Sequence, residues 1–323
     1  MTETPGPPTP RPRHRNSFPI ARVAGIEVRV HFTFFLLLAL FAYAGPAAGF
    51  DNAFMAVAWV FAVFACVLVH EFAHCIVARR RGGEVHEILL MPLGGISKLE
   101  RLPERPADEF AIAIAGPIAS FGIAIAAGLA CIAAGRTLVP IDLVAGAWFA
   151  RLAWLNLILG AFNLLPAFPL DGGRVFRSLL ERRLDLESAT IIATRVGHAF
   201  AAALVVVGIL FDIWLALIGL FVYFGASAEQ TATIVHLRLR GHRVGELMRI
   251  DLDRLAPFAG LASNGVAPND QLSDEIVARV AGAPDRQLPV VESGQLVGIL
   301  RFEDIERLVA SAPAPVQDAP SPD

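Results

Sequence analysis

Hydrophobic positions in this chain come in long blocks. Five stretches carry no charge or almost none: residues 32–50; 52–69, running on through His70 and Glu71 to Ala78; 110–135; 152–170; and 199–228, with a single charge at Asp212. Crossing a hydrocarbon core of ~30 Å takes about 20 helical residues. The first four stretches therefore predict one crossing each. Each must be continuous helix, because an unpaired backbone group at that depth has no water to bond. The fifth is long enough for one helix, or for two that turn near Asp212, with residues 188–197 lengthening the first.

Charge decides for two. With the N-terminus inside, loops at 11–29, 79–81, 98–105, 174–183 and 238–243 carry 18 Lys and Arg, and the opposite side carries only Arg136. Positively charged loops stay cytoplasmic. Six crossings keep both termini inside, whereas five would put residues 236–243 outside. Arg151, near the outer end of the fourth stretch, is expected to snorkel outward. Trp148 and Trp154 fit an outer interfacial belt.

The remaining segments are of other kinds. Residues 86–99, HEILLMPLGGISKL, are too short to cross and have Gly94-Gly95 at their middle, which predicts a small hairpin or re-entrant loop. Residues 1–19 are rich in Pro, Thr and Arg and read as a disordered basic arm. Beyond about residue 240 the composition turns soluble. Residues 271–280 have helical spacing, LPVVESGQLVGIL (288–300) reads as strand, turn and strand, and 302–309 reads as helix. The Pro/Ala/Asp-rich residues 311–323 read as a disordered tail. The fold class expected is an all-α polytopic membrane domain of about six transmembrane helices with a re-entrant hairpin, over 20–235, followed by a small α+β cytoplasmic module over 243–310.

Composition agrees. Hydrophobic residues make up 55% of the 323 and charged residues 18%, and mean hydropathy is +0.58. That excludes an ordinary soluble enzyme and a disordered protein. A net charge of −3 gives no footprint for nucleic acid. Cys66, Cys75 and Cys131 are odd in number and all lie in apolar stretches, which excludes a secreted disulfide framework.

The second stretch ends in His70-Glu71-Phe72-Ala73-His74. On a helix, i and i+4 share a face, so both imidazoles can bind one ion. Glu71, beside the first ligand, is placed to act as general base on water. Zinc fits imidazole ligands with one position open. Ionisable residues are costly in lipid and functional by default. His70 and His74 lie nine and five residues before Arg79, which marks the cytoplasmic interface. That places them about 13 and 7 Å inside at ~1.5 Å per residue. Two histidines leave a catalytic zinc one protein ligand short. The fourth stretch ends in Asn163-Leu-Leu-Pro166-Ala-Phe-Pro169-Leu-Asp171-Gly172-Gly173-Arg174. Here the prolines break the helix on the same side, and Asp171 is the candidate third ligand. Glu181 and Glu187 are alternatives without that helix break. Asn163 is a candidate donor to the substrate backbone or to a tetrahedral intermediate, or else an interhelical tie. The Gly94-Gly95 hairpin could offer a strand edge to an extended substrate, or plug the bundle. Asn156 and Gly116-Pro117 read as packing positions. His31, His86 and His198 read as interfacial.

HEFAH in a membrane helix, followed about ninety residues later by NLLPAFPLDGGR, resembles the site-2 protease family of intramembrane zinc metalloproteases. MPLGGI and IAGPIAS resemble two further segments of that family. The resemblance implies one Zn²⁺ per chain on His70, His74 and Asp171, with Glu71 as catalytic base. It implies single-span membrane proteins as substrates, such as anti-sigma factors or membrane-tethered transcription factors, cut in regulated intramembrane proteolysis in the cell membrane. Residues 244–248, 288–300 and 301–304 resemble a single CBS motif, as in the six-span branch. CBS motifs pair, which implies a homodimer. Arg301 stands where nucleotide-binding examples carry Thr or Ser, so the module is as readily a dimerisation unit without ligand. Two other classes compete: a CBS-regulated membrane transporter, and a proteolytically silent zinc-binding membrane regulator. An intact Glu71 and the lack of any internal repeat weigh against them.

Overall fold

A computed structural model describes residues 16–91, 94–99, 105–144, 146–249, 265–293 and 295–311. The chain divides into two compact units, between Arg182 and Arg183.

The first unit is mostly helical but contains a four-stranded sheet, so the all-α expectation is corrected. Strands β1 (Ser17–Val23) and β2 (Ile26–His31) form a hairpin whose turn residues, Ala24 and Gly25, both have positive φ. Residues 17–19 of the expected arm thus open a strand, and the first fifteen lie outside the described residues. Helices α1 (Thr33–Ala44) and α2 (Ala53–Arg80) then lead to β3 (Val85–Met91), which pairs parallel to β2, and to β4 (Gly94–Leu99), antiparallel to β3. The sheet order is β1-β2-β3-β4, which leaves β4 at an edge. The hairpin expected over 86–99 is therefore present as β3–β4. Its tip at residues 92–93 lies outside the described residues.

β2 alternates strictly: Ile26, Val28 and Val30 are buried between Glu27 and Arg29. That face packs on Phe34 of α1, on Val60, Phe64, Cys75 and Ala78 of α2, and on Val85, Ile88 and Leu90 of β3. The sheet thus braces the half of α2 that bears the HExxH motif.

Helices α3 (Pro106–Ala133), α4 (Trp148–Asn163) and α5 (Asp171–Leu180) complete the unit. α2 and α3, at 28 residues each, are long and apolar enough to cross a membrane. α1 and α4 are shorter than the stretches that predicted them, with 12 and 16 residues. Gly45-Pro46 and Pro166 stop them inside apolar sequence. Arg151 does not snorkel. It is buried, with its guanidinium 4.0 Å from the Trp59 ring and 5.0 and 5.3 Å from Phe50 and Trp148, and its Nε donates to the Leu143 carbonyl at 3.0 Å.

The second unit opens with α6 (Leu186–Phe211) and α7 (Ile213–Leu239), which meet at Asp212 as the charge pattern anticipates. Asp212 caps α7 by accepting from the Trp214 amide at 2.9 Å. Both helices are long and apolar enough to cross a membrane, which makes four such helices among the described residues. Large apolar side chains around their junction, such as Phe211 and Trp214, are exposed and suited to lipid.

α7 runs on to Leu239, whose side chain is buried in the core of the α+β region with Val244, Val280, Val290 and Leu300. The break in the chain therefore falls before α6, upstream of the composition change near residue 240. The α+β region comprises α8 (Val244–Leu247), α9 (Asp274–Gly282), β5 (Gln287–Glu292), β6 (Gln295–Arg301) and α10 (Phe302–Ser311). β5 and β6 pair antiparallel, as the 288–300 pattern predicts. The expected tail lies outside the described residues from 312 onward.

Candidate metal centre

Helix periodicity puts His70 and His74 on one buried face of α2. Their rings sit edge to face, with centroids 4.8 Å apart. Asp171 reaches them from the first position of α5. Its Oδ2 lies 3.1 Å from His70 Nε2 and 3.3 Å from His74 Nε2. The three ligand atoms all fall within 4.8 Å of one another.

α3 sets the direction of both rings. His74 Nδ1 lies 2.7 Å from the Ile112 carbonyl oxygen. A carbonyl only accepts, so Nδ1 carries a proton, and in the neutral ring that binds a metal Nε2 presents a lone pair. His70 Nδ1 lies 3.0 Å from Ser120 Oγ, a hydroxyl able to accept the matching proton. Both Nε2 atoms and the Asp171 oxygen then point electron pairs at one place. Such a convergence of donors suits a cation, and the outer hydrogen bonds are the kind that orient metal-binding histidines.

Gly116 lies between Ile112 and Ser120 on α3. A Cβ there would overlap the Nε2 atoms of both histidines, so glycine is what admits the two imidazoles. The pair Gly116-Pro117 is thus a close-packing position, as expected, and what it packs against is the histidine pair.

The loop before α5 explains Asp171. α4 ends at Asn163, and residues 164–170 turn with Ala167 and Phe168 wholly buried. Gly172 and Gly173 are helical, so their role is space rather than unusual φ. A Cβ on Gly172 would strike the carbonyls of Leu164 and Leu165, and one on Gly173 would come within 2.6 Å of the Phe168 nitrogen. The turn therefore folds tightly under the helix it starts.

Glu71 is half-buried on α2, within electrostatic range of His70, His74, Asp171 and Arg174. Asn163 Nδ2 donates to the Leu159 carbonyl of its own helix at 3.0 Å. Asn156, fully buried, donates to Cys66 Sγ of α2 at 3.2 Å, in keeping with a packing role. Gly94 and Gly95 pair with Met91 and Leu90 in the β3–β4 ladder. Of the alternative third ligands, Glu181 lies by Arg177, and in the second unit Glu187 pairs with Arg238 at 3.3 Å. In the second unit, Asp304 is engaged by Arg249 at 2.7–3.1 Å.

Comparison with known proteins gives the family. Residues 58–140 and 140–204 match Peptidase family M50. A zinc metalloprotease of Methanocaldococcus jannaschii is 30% identical over 292 residues, covering 90% of this chain and 80% of its own length. The Mycobacterium tuberculosis protein Rip3, named for zinc metalloprotease activity, is 34% identical over 255 residues, covering 72% of this chain and 64% of its own length. A solved structure of the site-2 protease from Methanocaldococcus jannaschii superposes with a TM-score of 0.51 at 35% identity, over 66% of this chain and 95% of that one. With this likeness and its spanning helices, the protein is a multi-pass membrane protein, and the chain belongs to peptidase family M50 as a zinc metalloendopeptidase of the site-2 protease type.

Proposed function

We propose that this protein hydrolyses peptide bonds of single-span membrane proteins within or near the bilayer, in regulated intramembrane proteolysis. His70, His74 and Asp171 hold one Zn²⁺ per chain, and Glu71 is the catalytic base. The observation that carries the reading is the convergence of the two Nε2 atoms and Asp171 Oδ2 beside α3.

Zinc, when bound, supplies a Lewis acid that acidifies water and polarises a peptide carbonyl. The chain supplies the rest. Ile112 and Ser120 keep the Nδ1 protons and so leave both Nε2 atoms free. Glu71, adjacent to His70 yet turned about 100° from it, faces the edge of the cluster. There its carboxylate takes a proton from the attacking water and passes it to the leaving amine. β4, at the sheet edge and near α2, offers backbone groups at Gly94 and Gly95 to an unwound substrate. Asn163, whose amide has a second N–H besides the one given to Leu159, stays a candidate donor to the substrate backbone or to a tetrahedral intermediate.

The same reading covers topology and assembly. α1 and α4, with the four long helices, make six crossings in the cell membrane and leave both termini in the cytoplasm. The α+β region is a CBS-like module that pairs with a second copy. Arg249 occupies Asp304, which favours dimerisation over nucleotide binding there. Substrates are membrane-anchored regulators, an anti-sigma factor or a tethered transcription factor being the class the family resemblance implies.

The test is a proteolysis assay in detergent with candidate single-span substrates, wild type against Glu71→Gln. The variant should keep its zinc and lose about 10²–10⁴ in rate, the contribution of positioned proton transfer. Full activity in Glu71→Gln would remove the protease assignment of this residue, and zinc loss would make Glu71 a ligand.

A further inference from the structure

Glu109 and Arg177 are charged, yet only 8% and 5% exposed. They face each other between α3 and α5. Arg177 Nε donates to Glu109 Oε1 at 3.1 Å, and its Nη2 makes a second, short contact with the same oxygen. The guanidinium also lies 5.1 Å from the ring of buried Phe168, in the turn that delivers Asp171.

On α3, Glu109 is followed by Ile112, Gly116 and Ser120, at intervals of three, four and four. Those intervals keep all four on one face of the helix. The last three hold the histidines of α2, and the first holds α5. A ten-residue helix such as α5 has little stability of its own and takes its placement from what it packs against. Asp171 and Arg177 are six residues apart, ~9 Å along the axis.

We propose that Arg177 is the positioning residue for Asp171: its buried pairing with Glu109 docks α5 on the same face of α3 that orients His70 and His74. The proposal rests on Asp171 being the third zinc ligand. Removing the pair should let Asp171 drift from two histidines that stay in place.

Glu181 gives this device a pH dependence. It lies one turn beyond Arg177, 3.8 Å from its Nε, so two carboxylates share one guanidinium. Burial, and then the charge of Glu109, push the Glu181 carboxyl up to about 7, against the pull of Arg177. Of the other charged groups on these helices, Asp108 of α3 is engaged by Arg81 of α2 at 2.6 Å, and Arg174 of α5 is within electrostatic range of Glu71. A raised carboxyl favours the protonated form in the docked state. Docking is therefore firmest below the ordinary value of 4.5, weakens as pH rises from there to about 7, and levels off once a second buried negative charge is present in the docked state.

The experiment measures zinc retained by the purified full-length protein after dialysis against a fixed zinc chelator, with helix content followed by circular dichroism. Arg177→Met should lose about tenfold or more in zinc affinity, the range seen when an orienting partner is removed. Arg177→Lys should recover part of it. Because Arg177→Met strands Glu109 as a buried charge and so threatens folding itself, the double variant Glu109→Gln/Arg177→Met serves as the second arm and should show the same loss. Zinc retained by Asp171→Ala would overturn the ligand assignment and the proposal with it. Zinc lost from Asp171→Ala but held at wild-type affinity by the double variant would overturn the positioning role alone. Across pH 6 to 8, the affinity of Glu181→Gln relative to wild type should climb severalfold. A constant ratio would overturn the role of Glu181.

Discussion

Helix α2 meets ionisable side chains from its neighbours at two places, and it treats them oppositely. Near its start, Trp59 joins Phe50 and Trp148 around the Arg151 guanidinium, which also donates to the Leu143 carbonyl. Eleven residues on, ~16 Å along the axis, His70 and then His74 meet Asp171. The first cluster spends its cation on rings and a carbonyl and holds segments together. In the second, the outer hydrogen bonds to Ser120 and Ile112 engage only the Nδ1 atoms and leave the Nε2 atoms aimed at a carboxylate. Burial of charge is common to both. What separates a structural cluster from a chemical one is whether free electron pairs converge.

Substitutions can sharpen that contrast. The largest effect is expected from Gly116→Ala, because the new Cβ would overlap both ligand nitrogens. Overpacking of this kind costs about 1–3 kcal/mol in stability, and the variant should purify essentially free of zinc by metal analysis. Ser120→Ala is milder. It frees the His70 ring to turn without blocking the site, and zinc affinity should fall about 10–100-fold in a chelator competition. Arg151→Met is the counterpart at the other cluster. It should lower stability by about 2 kcal/mol, the scale of a desolvated cation–π contact, while zinc content stays at the wild-type level. Zinc loss in Arg151→Met would erase the distinction between the two clusters.

Legibility in the sequence followed the range of each interaction. The histidine pair is local, four residues apart on one helix, and could be read directly. Asp171 needed the helix break around Pro166 and Pro169 to become a candidate. Ser120 closes the IAGPIAS segment, but nothing in that segment tells of its bond to a histidine fifty residues away, and Ile112, which acts through its backbone carbonyl, gave no signal. The β1–β2 hairpin did leave a trace, the alternation of IEVRVH, but Arg22 and Arg29 made the segment read as a basic loop. α1 and α4 came out shorter than their apolar stretches because hydropathy does not register turns made of glycine, proline and alanine. Arg151 was misplaced for a similar reason: the rings that hold it come from three separate segments.

The most direct test of the centre is the X-ray absorption spectrum of the purified protein at the zinc edge, for wild type and Asp171→Ala. The wild type should show two imidazole nitrogens and a carboxylate oxygen at about 2.0–2.2 Å, and Asp171→Ala should lose that oxygen and bind zinc more weakly. A wild-type spectrum without two imidazoles, or one that Asp171→Ala leaves unchanged, would contradict the assignment of His70, His74 and Asp171 as the zinc ligands.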